Sequence, residues 1–426
     1  MDSKVQFYVA IAIFLIVYVF IIIETFDRTV VALSGAALMI LLKILPQEEA
    51  IKGIDFNTLG LLIGMMILVM ITKRSGVFEY TAIKLVKMAK GSPKKIMIYL
   101  SISTGILSAF LDNVTTILLI IPITLSISEE LCINPIPLII TEVFASNIGG
   151  TGTLIGDPPN IIIGSAVGLS FTDFIINNGP IVVVSLLICV FLYTIRHKKE
   201  LKTTKDLKEK IMERNEKSLI KDKALLYKCL AVLLLVFIAF MLHGVLGFES
   251  ATIAMTGAVV LLLISNLSVE EILCEVEWAT ILFFVGLFIL VRGLKVVGAI
   301  DMLAEFVLRI THGNLLLTAI SILWVSALAS AFIDNIPFVT TMVPLIQHMG
   351  KVSDINLKPL WWALSLGACF GGNGTIVGAS ANVVACGLTK KQGHKITFKK
   401  FLVEAFPMMI LSVAMSNIYL YFVYLM

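Results

Sequence analysis

Asn147-Ile148-Gly149-Gly150-Thr151-Gly152-Thr153-Leu154-Ile155-Gly156-Asp157-Pro158-Pro159-Asn160 lies inside an apolar stretch and cannot form one continuous helix. Glycine is poor in a helix interior, and Pro158-Pro159 cannot continue the bonding of a helix that precedes them. The pattern returns 222 residues later. Gly149-Gly150-Thr151-Gly152-Thr153 falls on Gly371-Gly372-Asn373-Gly374-Thr375, Gly156 on Gly378 and Asn160 on Asn382. Outward from there, the same offset places Asp112-Asn113 on Asp334-Asn335 and Pro122 on Pro344. It also places Gly76 on Gly298, Gly64 on Gly286, Thr58 on Thr280 and Gly35 on Gly257. Matches of Gly, Pro, Asp and Asn carry the signal, because apolar matches are cheap in so apolar a chain. The chain reads as a duplicated unit, residues 1–195 and 229–426, joined by a polar linker at 196–228.

The solvent around these units is lipid. Of 426 residues, 58% are hydrophobic and 15% charged, against about 45–50% and 25% in soluble domains. Runs such as Val5–Ile23, Val30–Leu45 and Leu230–Leu246 have bilayer-spanning length. Backbone facing lipid must then be helical. The expected fold is an all-α polytopic membrane protein with two inverted repeats. Each has five transmembrane spans plus a re-entrant hairpin, with one broken helix per repeat. In the first repeat the spans fall at about 5–24, 28–45, 56–73, 136–168 and 176–195, and the hairpin at about 95–129. Residues 77–90 read as an amphipathic surface helix, and Trp278, Trp361 and Trp362 as interface residues.

Five spans is an odd number, so the second repeat is expected upside down. With the linker in the cytoplasm, 25 Lys and Arg lie inside and 8 outside, as the positive-inside rule asks. This places a multi-pass protein in the plasma or inner membrane with both termini outside. The six cysteines have no metal-ligand spacing, and the linker's charge run reads as a solvated helix.

Four carboxylates fall where hydropathy indicates membrane: Asp112, Glu142, Asp157 and Asp334. A charge at the bilayer centre costs about 2.5–3.5 kcal/mol on insertion scales, so such residues are functional candidates. The repeat relates Asp112 to Asp334, and the two should face one another across its axis. Asp157 falls on Ala379; it either caps the half-helix after the break or binds the coupling ion. Broken helices are tolerated at membrane depth where their backbone lines a cavity. Bare carbonyls at one half-helix end attract cations, and bare amides at the other attract anions. The candidate ion and solute site comprises Asp112, Asn113 and Thr115 with Asn147, Gly149, Gly150, Thr151, Gly152, Thr153, Asp157 and Asn160. From the second repeat come Asp334 and Asn335 with Gly371, Gly372, Asn373, Gly374, Thr375 and Asn382. Sodium would be held by Asp112, Asn113, Asp334 and Asn335.

Phe110-Leu111-Asp112-Asn113-Val114-Thr115-Thr116 and the Gly149–Asn160 stretch closely resemble the ion transporter superfamily over essentially the whole chain. The nearest branch is that of arsenite permeases and the melanosomal P protein. The resemblance implies a scaffold domain and a moving transport domain, with substrate and cations held by hairpin tips and broken-helix loops, often in a homodimer. Dicarboxylate relatives carry Ser-Asn-Thr at the tips, whereas these tips read Asp-Asn-Val and Asp-Asn-Ile. An added carboxylate at each tip repels a multivalent anion.

The expected function is H⁺- or Na⁺-coupled efflux or antiport of a small inorganic solute such as arsenite, by alternating access. Cys369 and Cys386 flank the second loop, and soft thiols suit As(III). Na⁺/H⁺ antiport, and an anion or dicarboxylate transporter or channel, are the alternatives. No Walker motif or H-E-x-x-H occurs, so an enzyme is not expected. No cofactor is expected beyond a bound Na⁺ or H⁺, and no nucleic acid; any ATPase partner would be a separate soluble chain.

Overall fold

Helix ends in this chain are set by polar caps, Pro and Gly, and they recur at the repeat offset. The computed structural model describes residues 3–23 and 25–426; Glu24, placed at the end of the first expected span, lies outside them. The first repeat holds α1 (Ser3–Ile23), α2 (Arg28–Leu41), α3 (Gln47–Lys52), α4 (Phe56–Arg74), α5 (Val77–Met88) and α6 (Pro93–Phe110). It continues with α7 (Asn113–Glu130), α8 (Ile136–Gly150), α9 (Pro158–Val167), α10 (Phe171–Asn177) and α11 (Gly179–Arg196). The linker forms α12 (Lys205–Met212). The second repeat holds α13 (Lys223–Leu246), α14 (Ser250–Ser265), α15 (Val269–Glu275), α16 (Trp278–Val296), α17 (Ala299–Ile310), α18 (Leu315–Phe332), α19 (Asn335–Val352), α20 (Lys358–Gly371), α21 (Ser380–Lys391) and α22 (Phe398–Leu420). Both ends of α4 fall 222 residues before both ends of α16, and the same holds for α5 and α17, α6 and α18, and α7 and α19.

The repeats interlock through small residues. Helix α4 packs on α14, and α2 on α16. A Cβ on Gly64 would meet the Ala254 backbone at 2.6 Å, and one on Gly286 the Ala32 backbone at 2.7 Å. The two crossings are mates in the repeat and bring backbones close, as membrane helices do at small side chains. Within each repeat the hairpin arm packs on the broken helix, α6 on α8 and α18 on α20. Their contacts centre on Gly149 against Gly105 and on Gly371 against Ala327.

The count of spans is smaller than the sequence suggests. Among the described residues, eight helices are long and apolar enough to cross a membrane, or nine if α9 and α10, bent by 116°, form one span. Helix α2 has only 14 residues, about 21 Å at 1.5 Å per residue, short of the roughly 30 Å hydrocarbon core. Length also fails to separate spans from hairpin arms, since α7 and α18 both pass that test. Helix α5 is amphipathic as expected, burying Phe78, Ala82, Ile83 and Val86.

Two expectations are corrected. Trp361 and Trp362 are buried; they open α20, and Trp362 meets the ring of Phe174 edge-on, so they belong to the core and not to the interface. The linker is not simply solvated. Ile211 is buried, Arg214 pairs with Glu130 at 2.9 Å, Lys87 pairs with Glu216, and Lys221 N–H donates to Ser75 O at 3.0 Å. The linker therefore straps α5 and α7 from one face.

At the start of that strap, His197 sits between Glu200 at 3.0 Å and Glu404 at 3.2 Å, with Arg196 2.9 Å from Glu404 and Lys400 near by. Burial opposes the imidazolium, but Glu404 and Glu200 outweigh it, so the His197 pKa lies above the ordinary value. A raised pKa in the folded state gives stability that is complete below the unfolded value of about 6.5 and is lost as pH rises through the folded value. The melting temperature of His197→Gln should fall furthest below wild type near pH 6, and the gap should close as pH rises through the folded-state pKa. A gap that ignores pH would remove the imidazolium from this account.

Candidate functional site

Four helix N-termini converge where the hairpins meet the breaks: α7 and α19 from the tips, α9 and α21 after the interruptions. Contacts join α7 to α21 and α19 to α9, so each tip sits beside the other repeat's broken helix. Each break is stitched by one asparagine. The Asn160 amide donates to Thr151 O at 3.1 Å and Thr153 O at 2.8 Å. The Asn382 amide donates to Gly372 O and Thr375 O, both at 2.8 Å. These satisfy carbonyls freed by the break. Thr153 and Thr375 tie the breaks to the hairpins by donating to Ala109 O and Ala331 O. Thr151 donates to Asn147 O at 2.8 Å. Gly150, Gly156, Gly372 and Gly378 lie where the two sides of each break touch. Gly152 abuts Val182, and Gly374 abuts Ala331. This subset of the expected site residues therefore builds the break.

The remaining candidates form one buried chain of side chains. The Asn113 amide donates to Asn147 Oδ1 at 3.1 Å and to Asp157 Oδ1 at 3.2 Å. From the other tip, the Asn335 amide reaches Asp157 Oδ1 at 3.4 Å and Oδ2 at 3.5 Å. The Asn147 amide donates to Asn373 Oδ1 at 3.0 Å and Asn382 Oδ1 at 2.9 Å. Asp157 is fully buried and caps nothing. Its carboxylate is the point where both tips meet, and the expected capping bond is absent. The Asn373 amide nitrogen is buried and has no partner among the described residues.

The two tip aspartates do not pair with each other. Asp112 turns back on its own helix, accepting from Thr115 N at 2.8 Å and from the Thr115 hydroxyl. Asp334 accepts from Ile336 N at 3.1 Å, from Ser380 Oγ at 2.8 Å and from Arg28 at 2.9 Å. The four residues expected to hold sodium are thus divided, and among the described residues no three of His, Cys, Asp and Glu converge on a metal position. Glu142 is buried inside α8, accepting from Thr124 Oγ1 at 2.8 Å, and lines neither cavity described below. Cys369 enters the site, 3.6 Å from Asn160 Oδ1, while Cys386 lines neither cavity.

Two cavities approach this chain from opposite ends of α4 and α16. Arg74, at the end of α4, pairs with Glu275, and the linker bonds to neighbouring Ser75, so Val276–Thr280 lie on the linker face. There a cavity of about 710 Å³ runs to Asp334 and Ser380, past Asp27, Arg28 and Glu277. On the other face, one of about 310 Å³ is lined by Lys52, Asp55, Arg292 and Lys295. Between them, about 20 Å³ of free space touches Asp112, Asp157, Glu277 and Arg28, room for one water-sized occupant.

Glu277 and Arg28 were not among the sequence candidates. A signal for Glu277 existed: Thr280 falls on Thr58, and each follows an acid by three residues. The structure repeats that local bond, Thr58 to Asp55 at 2.7 Å and Thr280 to Glu277 at 3.1 Å. Arg28 had no such signal, because its mate is Ser250.

The citrate transporter family model (CitMHS) matches residues 18–367. The chain belongs to the citrate transporter family. It is therefore a transporter and a multi-pass membrane protein, not an enzyme. Within this family's relatives, it is 44% identical to the transporter Rv2684 of Mycobacterium tuberculosis over 98% of both chains. It is 34% identical to the human P protein, over 98% of this chain and 60% of that one. The crystal structure of the YdaH transporter of Alcanivorax borkumensis superposes with a TM-score of 0.59, over 87% of this chain and 86% of that one, at 13% identity; the likeness is one of fold.

Proposed function

We propose that this member of the citrate transporter family is a cation-coupled secondary transporter that exports a small inorganic solute of no net negative charge, such as undissociated arsenous acid. One observation carries the reading. Asp27, Asp112, Asp157, Glu277 and Asp334 line the central space and the cavity leading to it, against the single base Arg28. Citrate, after which the family is named, would meet its own charge there. A proton needs no ligand shell, which suits carboxylates that do not converge on a metal position; Na⁺ would require them to move together.

In this mechanism the two repeats are inverted, the linker face is cytoplasmic and the large cavity is the inward mouth. Cation uptake from the outer cavity neutralises the Asp112–Asp157–Glu277 group, which lets that cavity close, because a buried unpaired charge is costly. The large inward mouth then opens, the cation is released inside, and the solute takes its place for the return outward. Na⁺/H⁺ antiport without a solute is the second reading, favoured by the presence of one thiol in the site where As(III) capture would use several. The test is flux in proteoliposomes. Arsenite movement driven by a pH or Na⁺ gradient is the expected result. Na⁺-dependent proton flux indifferent to arsenite selects the second reading, and flux that ignores both cation gradients overturns both.

A further inference from the structure

The hairpin tips carry the same Asp-Asn pair, yet their surroundings are not equivalent. Asp334 is met by a guanidinium, Arg28 Nη1, at 2.9 Å, and by Ser380 Oγ at 2.8 Å. Arg28 also donates to Ser380, and its guanidinium lies over the Phe283 ring at 5.1 Å. Three contacts fix the cation where it is, and planar Arg is suited to both the carboxylate and the ring. The repeat supplies no counterpart for Asp112. Arg28 falls on Ser250, and Ser380 falls on Pro158. Asp112 instead shares the central space with two more acids, Asp157 and Glu277; Arg28 borders that space too, but its ion pair is with Asp334. One tip carboxylate is neutralised by the chain itself, and the other stands in an acidic group without a partner cation of its own.

We infer that Arg28 is a tethered cation occupying the second repeat's ion site, so that the mobile coupling cation is taken up only at the Asp112–Asp157–Glu277 group. The inference rests on the cation coupling proposed above and deepens it, by assigning one of two duplicated sites to the mobile ion. Arg28 acts as a positioning residue: its charge holds Asp334 and the second hairpin tip, leaving a single neutralisation event to govern closure. A symmetric protein would have to fill two such sites before either cavity could close.

The test compares wild type, Arg28→Ser, Arg28→Lys, Asp334→Asn and the double variant R28S/D334N, purified in detergent. Melting temperature is followed in a Na⁺ series at constant ionic strength and in a separate pH series. The slope counts cations taken up by the folded protein. Arg28→Ser should take up about one more cation than wild type, in whichever series responds. Arg28→Lys, which keeps the charge, should keep the wild-type slope. Asp334→Asn should melt below wild type, because it leaves Arg28 unpaired, and R28S/D334N should recover both the wild-type slope and most of the lost melting temperature. Should Arg28→Ser fail to fold, recovery of folded protein in R28S/D334N reads out the same pairing. A wild-type slope for Arg28→Ser in both series, or a double variant no better than Asp334→Asn, overturns the inference. Gradient-independent flux by the wild type overturns the proposed function instead, and is seen without any variant.

Discussion

Asp157→Asn should lower gradient-driven flux at least about tenfold while leaving the protein folded. The Asp157 carboxylate accepts from the amides of both hairpin tips, Asn113 and Asn335. An Asn side chain of the same shape keeps one oxygen able to accept from both amides, but puts a donor nitrogen where Oδ2 stood, facing the Asn335 amide, so a donor is set against a donor. An unsatisfied buried donor costs about 1–3 kcal/mol, or roughly 5- to 150-fold in a rate or population. The lost charge compounds this, since a cation captured between the tips has less to bind. Thr153 and Asn160 stitch the break without using Asp157, which is why the protein should still fold, with a modest fall in melting temperature. Full flux in Asp157→Asn would show that the meeting of the two tips on this carboxylate is structural only.

Gly149→Ala should prevent stable folding, and Gly371→Ala should come close to doing so. A Cβ on Gly149 would lie 2.0 Å from Gly105 O, and one on Gly371 2.4 Å from Ala327 O. Both obstacles are backbone atoms of a facing helix, so no rotamer change relieves them. The expected cost is at least about 3 kcal/mol, the upper end of ordinary overpacking. Gly387→Ala in α21 is the control, because nothing lies within 4 Å of its Cβ position. There the better helix propensity of Ala should be neutral or stabilise by up to about 1 kcal/mol. Yield of monodisperse protein in detergent and its melting temperature measure all three. An unchanged melting temperature for Gly149→Ala would mean that α6 and α8 do not cross where the structure has them.

Much of the architecture was legible because Gly, Pro and Asn are legible. Their spacing marked both breaks, both tips and the offset that relates them, and the observed ends of α4 to α7 and α16 to α19 keep that offset. The number of spans was less legible. Hydropathy measures how apolar a segment is and not which way it turns, so hairpin arms pass for spans, and α2 fails on length alone. Trp361 and Trp362 misled for a similar reason. Tryptophan's preference for interfaces is an average, and here the Phe174 ring and the start of α20 provide a better burial.

Within the site, the sequence named residue types but not how they divide among themselves. Sequence marked Asp112 and Asp334 as equals because the offset treats them so. Their difference comes from Arg28, some 300 residues from Asp334 in the chain, and no local pattern encodes an encounter at that separation. Sequence alone determined that this is a duplicated, lipid-embedded helical chain with two breaks and acidic tips, since backbone bonding rules and side-chain hydropathy act residue by residue. Tertiary structure decided that both tips converge on Asp157, that Glu277 joins them and that Arg28 neutralises only one, because the energy of a buried charge depends on which distant groups the fold brings within a few ångströms of it.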